Sequence, residues 1–117
     1  MKIIHDWKII KQQAASGKVR AGVIYELGGY EVVTVEADFL PGGVSISARP
    51  IDGSGYLPEI YTNSHFKGFQ ELTIQTTSWG ALSISEIDKV LEAYMKAQLV
   101  AKTIEGAFPE CFRERSA

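Results

Sequence analysis

The sequence predicts an α+β fold, in which an antiparallel meander sheet of about four strands is flanked by an N-terminal and a C-terminal helix. The signals are helix-spaced apolar residues near the start, β-branched runs separated by glycine turns in the middle, and a helix-capping pattern near the end. With 117 residues, of which 45% are hydrophobic, the chain is long enough for one core. We therefore expect a single domain over residues 1–117, with residues 107–117 as a tail that either packs on the core or stays available to a partner.

The N-terminal helix is predicted to run from near Ile3 or Trp7 to Ser16. Gly17 is a natural stop, because glycine is favoured just past the last turn of a helix. Asp6 caps the helix if it begins at Trp7, and lies in the first turn if it begins earlier. Apolar residues at steps of three and four share one helical face: Ile3, Trp7, Ile10 and Ala14.

Two strand-like runs, residues 19–27 and 30–39, are separated by Gly28-Gly29. A glycine pair adopts the positive φ angles that a two-residue hairpin requires, so we predict a hairpin with Leu27 opposite Tyr30. Alternate residues then point to opposite faces of the sheet. One face carries Val19, Val23, Tyr25, Leu27, Tyr30, Val32, Thr34 and Glu36, and the other, favoured as the core face, carries Ile24, Val33, Val35, Ala37 and Phe39.

Two further strands are predicted at residues 44–50 and 69–77. The segment 56–67 between them is ambiguous, and a short strand at residues 59–62 followed by a loop is one interpretation of it. The strand at residues 44–50 follows a proline-glycine turn, which favours a reversal of the chain. If the connecting loop has an even length, alternation along the strand adds three apolar residues to the favoured core face: Val44, Ile46 and Ala48.

The C-terminal helix is predicted from a capping box at residues 83–86, whose sequence is Ser-Ile-Ser-Glu. Gly106 is expected to end the helix. Glu92 and Lys96 are four residues apart and are placed for an exposed ion pair. The apolar stripe of this helix is predicted to contain Ile87, Val90, Leu91, Tyr94, Ala97, Ala101 and Ile104.

The net charge of −2 is unevenly distributed along the chain. Residues 1–20 hold five basic side chains against one acidic, whereas residues 21–66 hold six acidic side chains against one basic. An acidic sheet repels phosphate backbones, so generic nucleic-acid binding through the sheet is disfavoured. The basic first segment could still contact a phosphate.

The sequence predicts a cytoplasmic location. It predicts no association with a membrane. Charged or polar residues interrupt every apolar run before the roughly 20 residues that a spanning helix requires. The polar start of the chain does not resemble a signal peptide. Cys111 is the single cysteine and cannot form an internal disulfide, which fits a reducing compartment.

Candidate catalytic groups are few, because the chain has two histidines and one cysteine, and none has the spacing of a metal site or a nucleophile. His65 is the best candidate acid or base, although an ordinary loop residue is the favoured interpretation. Cys111 could be a reactive thiol beside Arg113, but a solvent-facing or partly packed free cysteine in a mobile tail is the favoured interpretation. Glu26 and Glu31 could face each other across the hairpin, with a solvated hairpin end as the favoured explanation. We predict no catalytic residue, no metal and no cofactor.

The first sheet face is the candidate binding surface. If both helices cover the opposite face, an aromatic and apolar patch stays exposed, as is typical of an interface. If one helix covers each face, no patch is exposed. The predicted binding residues are Tyr25, Tyr30, Val32, Glu36 and His65.

The favoured functional hypothesis is a small non-catalytic binding or regulatory module that acts through protein–protein contacts, with another copy of the chain among the candidate partners. One alternative is a small enzyme or ligand-binding protein that uses His65 in a pocket at the end of the sheet. The other alternative is an acidic inhibitor of nucleic-acid machinery encoded by a mobile element, suggested by charge and size. An enzyme is the less favoured class, since no catalytic constellation is evident.

Overall fold

The computed structural model describes residues 2–10, 20–53, 55–65, 69–75 and 80–112, and for residues 2–10, 20, 21, 64 and 65 it describes the backbone alone. These residues form six strands, one long helix, one short helix and a 3₁₀ turn. The elements are β1 (Lys2–Ile10), β2 (Arg20–Leu27), β3 (Tyr30–Glu36), the 3₁₀ turn (Pro41–Gly43), β4 (Val44–Pro50), β5 (Ile60–His65), β6 (Phe69–Ile74), α1 (Ile84–Ala107) and α2 (Pro109–Phe112).

The described strands form one antiparallel sheet in the order β1-β2-β3-β4-β5-β6. Every strand therefore pairs with the next one along the chain, which is a meander. The predicted α+β class and the antiparallel meander are confirmed, while the strand number is six in the described residues instead of four.

The predicted N-terminal helix is wrong over Lys2–Ile10, which is strand β1 and pairs with β2. Four isoleucines and a tryptophan lie within these nine residues, and such side chains are enriched in strands. A short apolar run fits both the helical and the strand periodicity of apolar residues. The pairing of its backbone with β2 therefore decides which structure forms. The rest of the predicted helix, residues 11–16, lies outside the described residues.

The hairpin between β2 and β3 has the predicted register, with Leu27 opposite Tyr30. Gly28 and Gly29 both have positive φ angles, +55° and +83°, as a two-residue turn between twisted strands requires. This local prediction is confirmed.

The predicted core face is wrong for β3, whose buried side chains are Tyr30, Val32 and Thr34. Two members of the predicted face, Ile24 and Ala37, are nevertheless buried. The β3–β4 connection, residues 37–43, has an odd number of residues and places Glu36 opposite Val44. It is closed by a hydrogen bond from the amide of Ala37 to the carbonyl of Gly43 (2.9 Å). Ile46 and Ala48 consequently lie on the same face as Val32 and are buried.

Helix α1 covers this face of the sheet. It begins at the predicted capping box, in which the Glu86 amide donates to the Ser83 hydroxyl (3.2 Å) and the Ser83 amide donates to the Glu86 carboxylate (3.1 Å). Its buried residues are mostly small, so the helix can lie close to the strands. The core consists of Tyr30, Val32, Ile46, Ala48, Ile60, Ala97, Val100, Ala101, Ile104 and Cys111.

The segment after α1 packs back on the core, which is one of the two arrangements expected for the tail. Phe108 and Phe112 contact the core, and the ring of Phe108 lies edge-on to Tyr25 with 6.1 Å between ring centroids. Cys111 of α2 is buried against Gly42 of the 3₁₀ turn. Residues 113–117 lie outside the described residues. No helix in the described part of the chain is long and apolar enough to cross a membrane.

Candidate binding surface

The predicted binding residues do not form one exposed patch. Tyr30 and Val32 are fully buried beneath α1, and Tyr25 is partly buried against Phe108. Glu36 is exposed at the end of β3. His65 ends β5 and its backbone is opposite Phe69, whereas its side chain is outside the described part of the structure. The aromatic surface expected on this sheet face is therefore interior.

The other candidate groups are held in structural roles. Burial raises the pKa of the Cys111 thiol, with a smaller contribution from the nearby charge of Glu110, so the reactive thiolate is disfavoured. Glu26 and Glu31 are opposite each other, as expected, and Glu31 accepts a hydrogen bond from Arg49 (3.0 Å). Within the described ranges, no three His, Cys, Asp or Glu side chains are grouped so that they could hold a metal ion.

A pocket of about 280 Å³ opens beside β6. Gln70 lines it but is itself buried, and its side-chain amide donates to the carbonyls of Pro41 and Val44, both at 2.7 Å. These two bonds tie β6 to the turn before β4. The Gln70 carbonyl oxygen is also buried and has no hydrogen-bond partner among the described residues. The other residues that line the pocket are Phe69, Glu71, Leu72, Glu105 and Phe112.

The most unusual surface is on the side of α1 that faces away from the sheet. Five large apolar side chains are exposed there, with exposed fractions between 43% and 84%. They follow one another at steps of three or four residues and so lie along one side of the helix over about 22 Å. We call this set the outer row: Ile84, Ile87, Leu91, Met95 and Leu99.

Helix α1 therefore has two apolar faces. The inner face consists of small or β-branched residues packed on the sheet: Ala93, Ala97, Val100, Ala101 and Ile104. The predicted stripe combined residues of both faces, since Ile87 and Leu91 are exposed while Ala97, Ala101 and Ile104 are buried. A comparison of residue size would have separated the two faces, because alanines recur opposite leucines and methionine.

The edges of the outer row carry charges of both signs. Asp88 and Glu92 lie along one edge, whereas Lys96 is farther around the helix and its ammonium group lies beside Gly29 of the β2–β3 turn. The predicted ion pair between Glu92 and Lys96 is not formed, since the pair found within the described residues is Glu31–Arg49. Lys102 continues the line of the row beyond Leu99. The outer row is thus an apolar strip with acidic and basic groups beside it.

No protein-family model, no curated protein and no solved structure matches this chain. Comparison with known proteins therefore assigns no residue a role, and the functional inference depends on the geometry of the molecule.

Proposed function

We propose that this chain is a non-catalytic module that acts by binding protein through the outer row of α1. The observation that carries the proposal is the exposure of five large apolar side chains in one continuous line. Scattered exposed apolar residues are ordinary, but a contiguous strip edged by polar groups is characteristic of a protein interface. Leucine, isoleucine and methionine on one helical face are also the usual anchors when a helix docks on a protein surface.

The charge around the row favours protein over a membrane surface. Helices that lie on anionic lipid carry many lysines and arginines on their polar face. Along α1, however, the lysines 89, 96 and 102 are outnumbered by four acidic residues, Glu86, Asp88, Glu92 and Glu105. An anionic lipid or nucleic-acid surface would therefore gain little from this helix, whereas a protein with mixed charges would fit it.

Site-specific photo-crosslinking in an extract of the native cells tests this proposal. A photoreactive amino acid is introduced at Leu91 or Met95, and at Lys89 as the control, because Lys89 is exposed on α1 but lies about 140° around the helix from the middle of the row. We expect a discrete protein adduct from the first two positions and little from the third. Equal adducts at all three positions, or none, would refute a protein-binding role for the outer row. Mass spectrometry of the adduct identifies the partner.

A further inference from the structure

We infer that the free edge of β6 is a second binding site, at which an extended peptide carrying a lysine or arginine joins the sheet as a further strand. The inference goes beyond the proposed function, because this edge is separate from the outer row. It depends on the position of the pocket beside β6, on the direction of the β6 backbone groups and on the charge of the pocket lining.

The residues that line the pocket place it at the edge of the strand. Four consecutive residues of β6, 69–72, line it. Successive side chains of a strand point to opposite faces of the sheet, so a pocket on one face would be lined by alternate residues alone. A pocket that contacts all four therefore lies along the side of β6. The other side pairs with β5, and β6 is the last strand of the sheet among the described residues.

The pairing with β5 determines which backbone groups face the free side. The amide of Gln75 donates to the carbonyl of Glu59 (3.0 Å), and this pair continues the β5–β6 ladder by one residue. Hydrogen-bonded pairs alternate with non-bonded pairs in an antiparallel ladder, so every second residue counted back from Gln75 bonds to β5. The residues between them direct their N–H and C=O groups to the free side: Gln70, Leu72 and Ile74.

The open part of this edge begins at Leu72. Gln70 is only 1% exposed, so its backbone groups are buried. Leu72 and Ile74 are half-buried, and no backbone hydrogen bond within the described ranges reaches them from the free side. Unpaired backbone groups on an edge strand are a template for another strand, and extended peptides are commonly recognised in this way.

The size of the pocket fits the side chains of a peptide. Its volume of about 280 Å³ is below the roughly 300 to 1,000 Å³ of pockets that enclose a drug-sized molecule. A pocket of this size beside a strand edge can hold one or two side chains of an added strand, while the peptide backbone continues along Leu72 and Ile74. Phe69 and Phe112 supply apolar walls for the methylene stem of a long side chain.

The charge of the lining favours a basic side chain. Glu71 of β6 and Glu105 of α1 line the pocket, and both are exposed. No cation lines it among the described residues; Lys67 and Arg113, which flank the lining residues in sequence, lie outside them. A lysine or arginine of the peptide is attracted by both carboxylates, and an acidic peptide is repelled.

Selection from a library of random decapeptides displayed on phage, with the purified full chain as the target, tests the inference. We expect enriched peptides to share a lysine or arginine among β-branched or aromatic residues and to lack proline, which removes a backbone donor. At low salt, Glu71→Lys combined with Glu105→Lys should weaken binding of an enriched peptide by about tenfold or more. The matched control is Asp88→Lys combined with Glu92→Lys, which changes the net charge equally on another part of α1 and should leave binding unchanged. Circular dichroism checks that each variant is folded.

N-methylated versions of an enriched peptide test the backbone pairing. Methyl groups on every second amide remove the donors from one side of the added strand. Only one of the two alternate patterns should abolish binding, because the N–H groups of the other pattern point away from β6. On the protein, hydrogen exchange of the Leu72 amide should slow when the peptide binds, whereas that of Glu71, which is bonded to β5, should change little.

Failure to enrich any peptide, equal losses in the charge variant and its control, or equal effects of the two methylation patterns would overturn the inference. Leu91→Asp combined with Met95→Asp changes the outer row and should leave peptide binding unchanged. If this variant abolishes peptide binding while the Glu71 and Glu105 variant does not, the peptide binds the outer row, so the inference fails and the proposed function stands. If crosslinking through Leu91 finds no partner while the peptide pairs with β6, the proposed function alone fails.

Discussion

Tyr30 lies at the centre of the core, at the residue where the hairpin enters β3, and has no exposed surface. Its hydroxyl donates a hydrogen bond of 2.6 Å to the buried carbonyl of Pro58. Burial, with a smaller contribution from Tyr94, raises the pKa of Tyr30 to about 12. The side chain thus fills the core like a phenylalanine while holding the segment before β5 in place.

Removing the Tyr30 hydroxyl should destabilise the fold. Tyr30→Phe leaves the Pro58 carbonyl buried without its donor, which costs about 1 to 2 kcal/mol of unfolding free energy. Tyr61→Phe is the matched control, because Tyr61 is 42% exposed and its partner Glu59 lies beside it on the surface. Urea denaturation measures both variants. Equal losses would show that the Tyr30 bond contributes nothing specific.

The same hydroxyl makes the free energy of unfolding depend on pH in the alkaline range. The pKa of Tyr30 is about 12 in the folded chain against 10.0 for an unperturbed tyrosine, so the folded state retains the proton longer. Its stabilising contribution is complete below pH 10 and is lost as the pH rises from 10 through 12. At pH 11 the loss relative to pH 8 should be about 1.4 kcal/mol. Tyr30→Phe should lack this part of the decline, and a parallel decline in both proteins would contradict the assignment.

At the scale of elements, α1 begins at a reciprocal cap. The backbone amide of Ser83 lowers the pKa of the Glu86 carboxyl by hydrogen bonding, and the Ser83 hydroxyl and Tyr56 add to the effect. The charged form of Glu86 is therefore favoured in the folded state. Tyr56 donates to the same carboxylate (3.2 Å), which joins the loop before β5 to the start of the helix.

Substituting the cap should destabilise the chain. Ser83→Ala removes the acceptor of the Glu86 amide, and we expect a loss of about 1 kcal/mol in unfolding free energy. Ser85→Ala is the control, because it removes the hydrogen bond between the Ser85 and Ser83 hydroxyls (3.2 Å) but leaves both bonds of the capping box in place. Thermal denaturation followed by circular dichroism compares them. A loss in Ser85→Ala as large as in Ser83→Ala would indicate that the cap is not responsible.

The elements that could be predicted from the sequence are those whose signals are local. The Gly28-Gly29 turn and the Ser83–Glu86 capping box act within a few residues, and both are found as expected. β1 was not predictable in this way, because its strand form depends on pairing with β2, which lies ten residues further on. The core face was misassigned because one residue in the length of the β3–β4 loop exchanges the two faces of β4.

At the scale of the whole molecule, a single long helix covers one side of a six-stranded sheet in the described part of the chain. Because α1 covers this face, the sheet surface that was predicted to be exposed is part of the core. The exposed apolar side chains lie instead on the side of α1 that faces away from the sheet. Periodicity alone could not locate this surface. A helix with apolar residues on two opposite faces gives overlapping patterns, and only the packing of the small residues on the sheet separates them.

The C-terminal segment closes on the sheet through the 3₁₀ turn. Gly42 and Gly43 have similar positive φ angles, +79° and +72°, but a Cβ atom at Gly42 would come within 2.9 Å of the Cys111 backbone, whereas a Cβ atom at Gly43 has no neighbour within 4 Å. Gly43→Ala should therefore cost about 1 kcal/mol of stability from backbone strain. Gly42→Ala should cost about 3 kcal/mol, because α2 must also move.

Chemical denaturation of this matched pair measures how tightly α2 is held. Similar losses in the two variants would mean that the segment yields readily and that its contact with the turn adds little stability.

The burial of Cys111 has a practical consequence for measuring motion. The chain has one cysteine, and its thiol is closed beneath the turn at Gly42. An alkylating reagent can therefore react only with molecules in which the C-terminal segment has lifted away. When closing is faster than alkylation, the ratio of the observed rate to that of a free thiol gives the equilibrium between the open and closed forms. The native cysteine is thus a chemical probe of local opening that requires no introduced label.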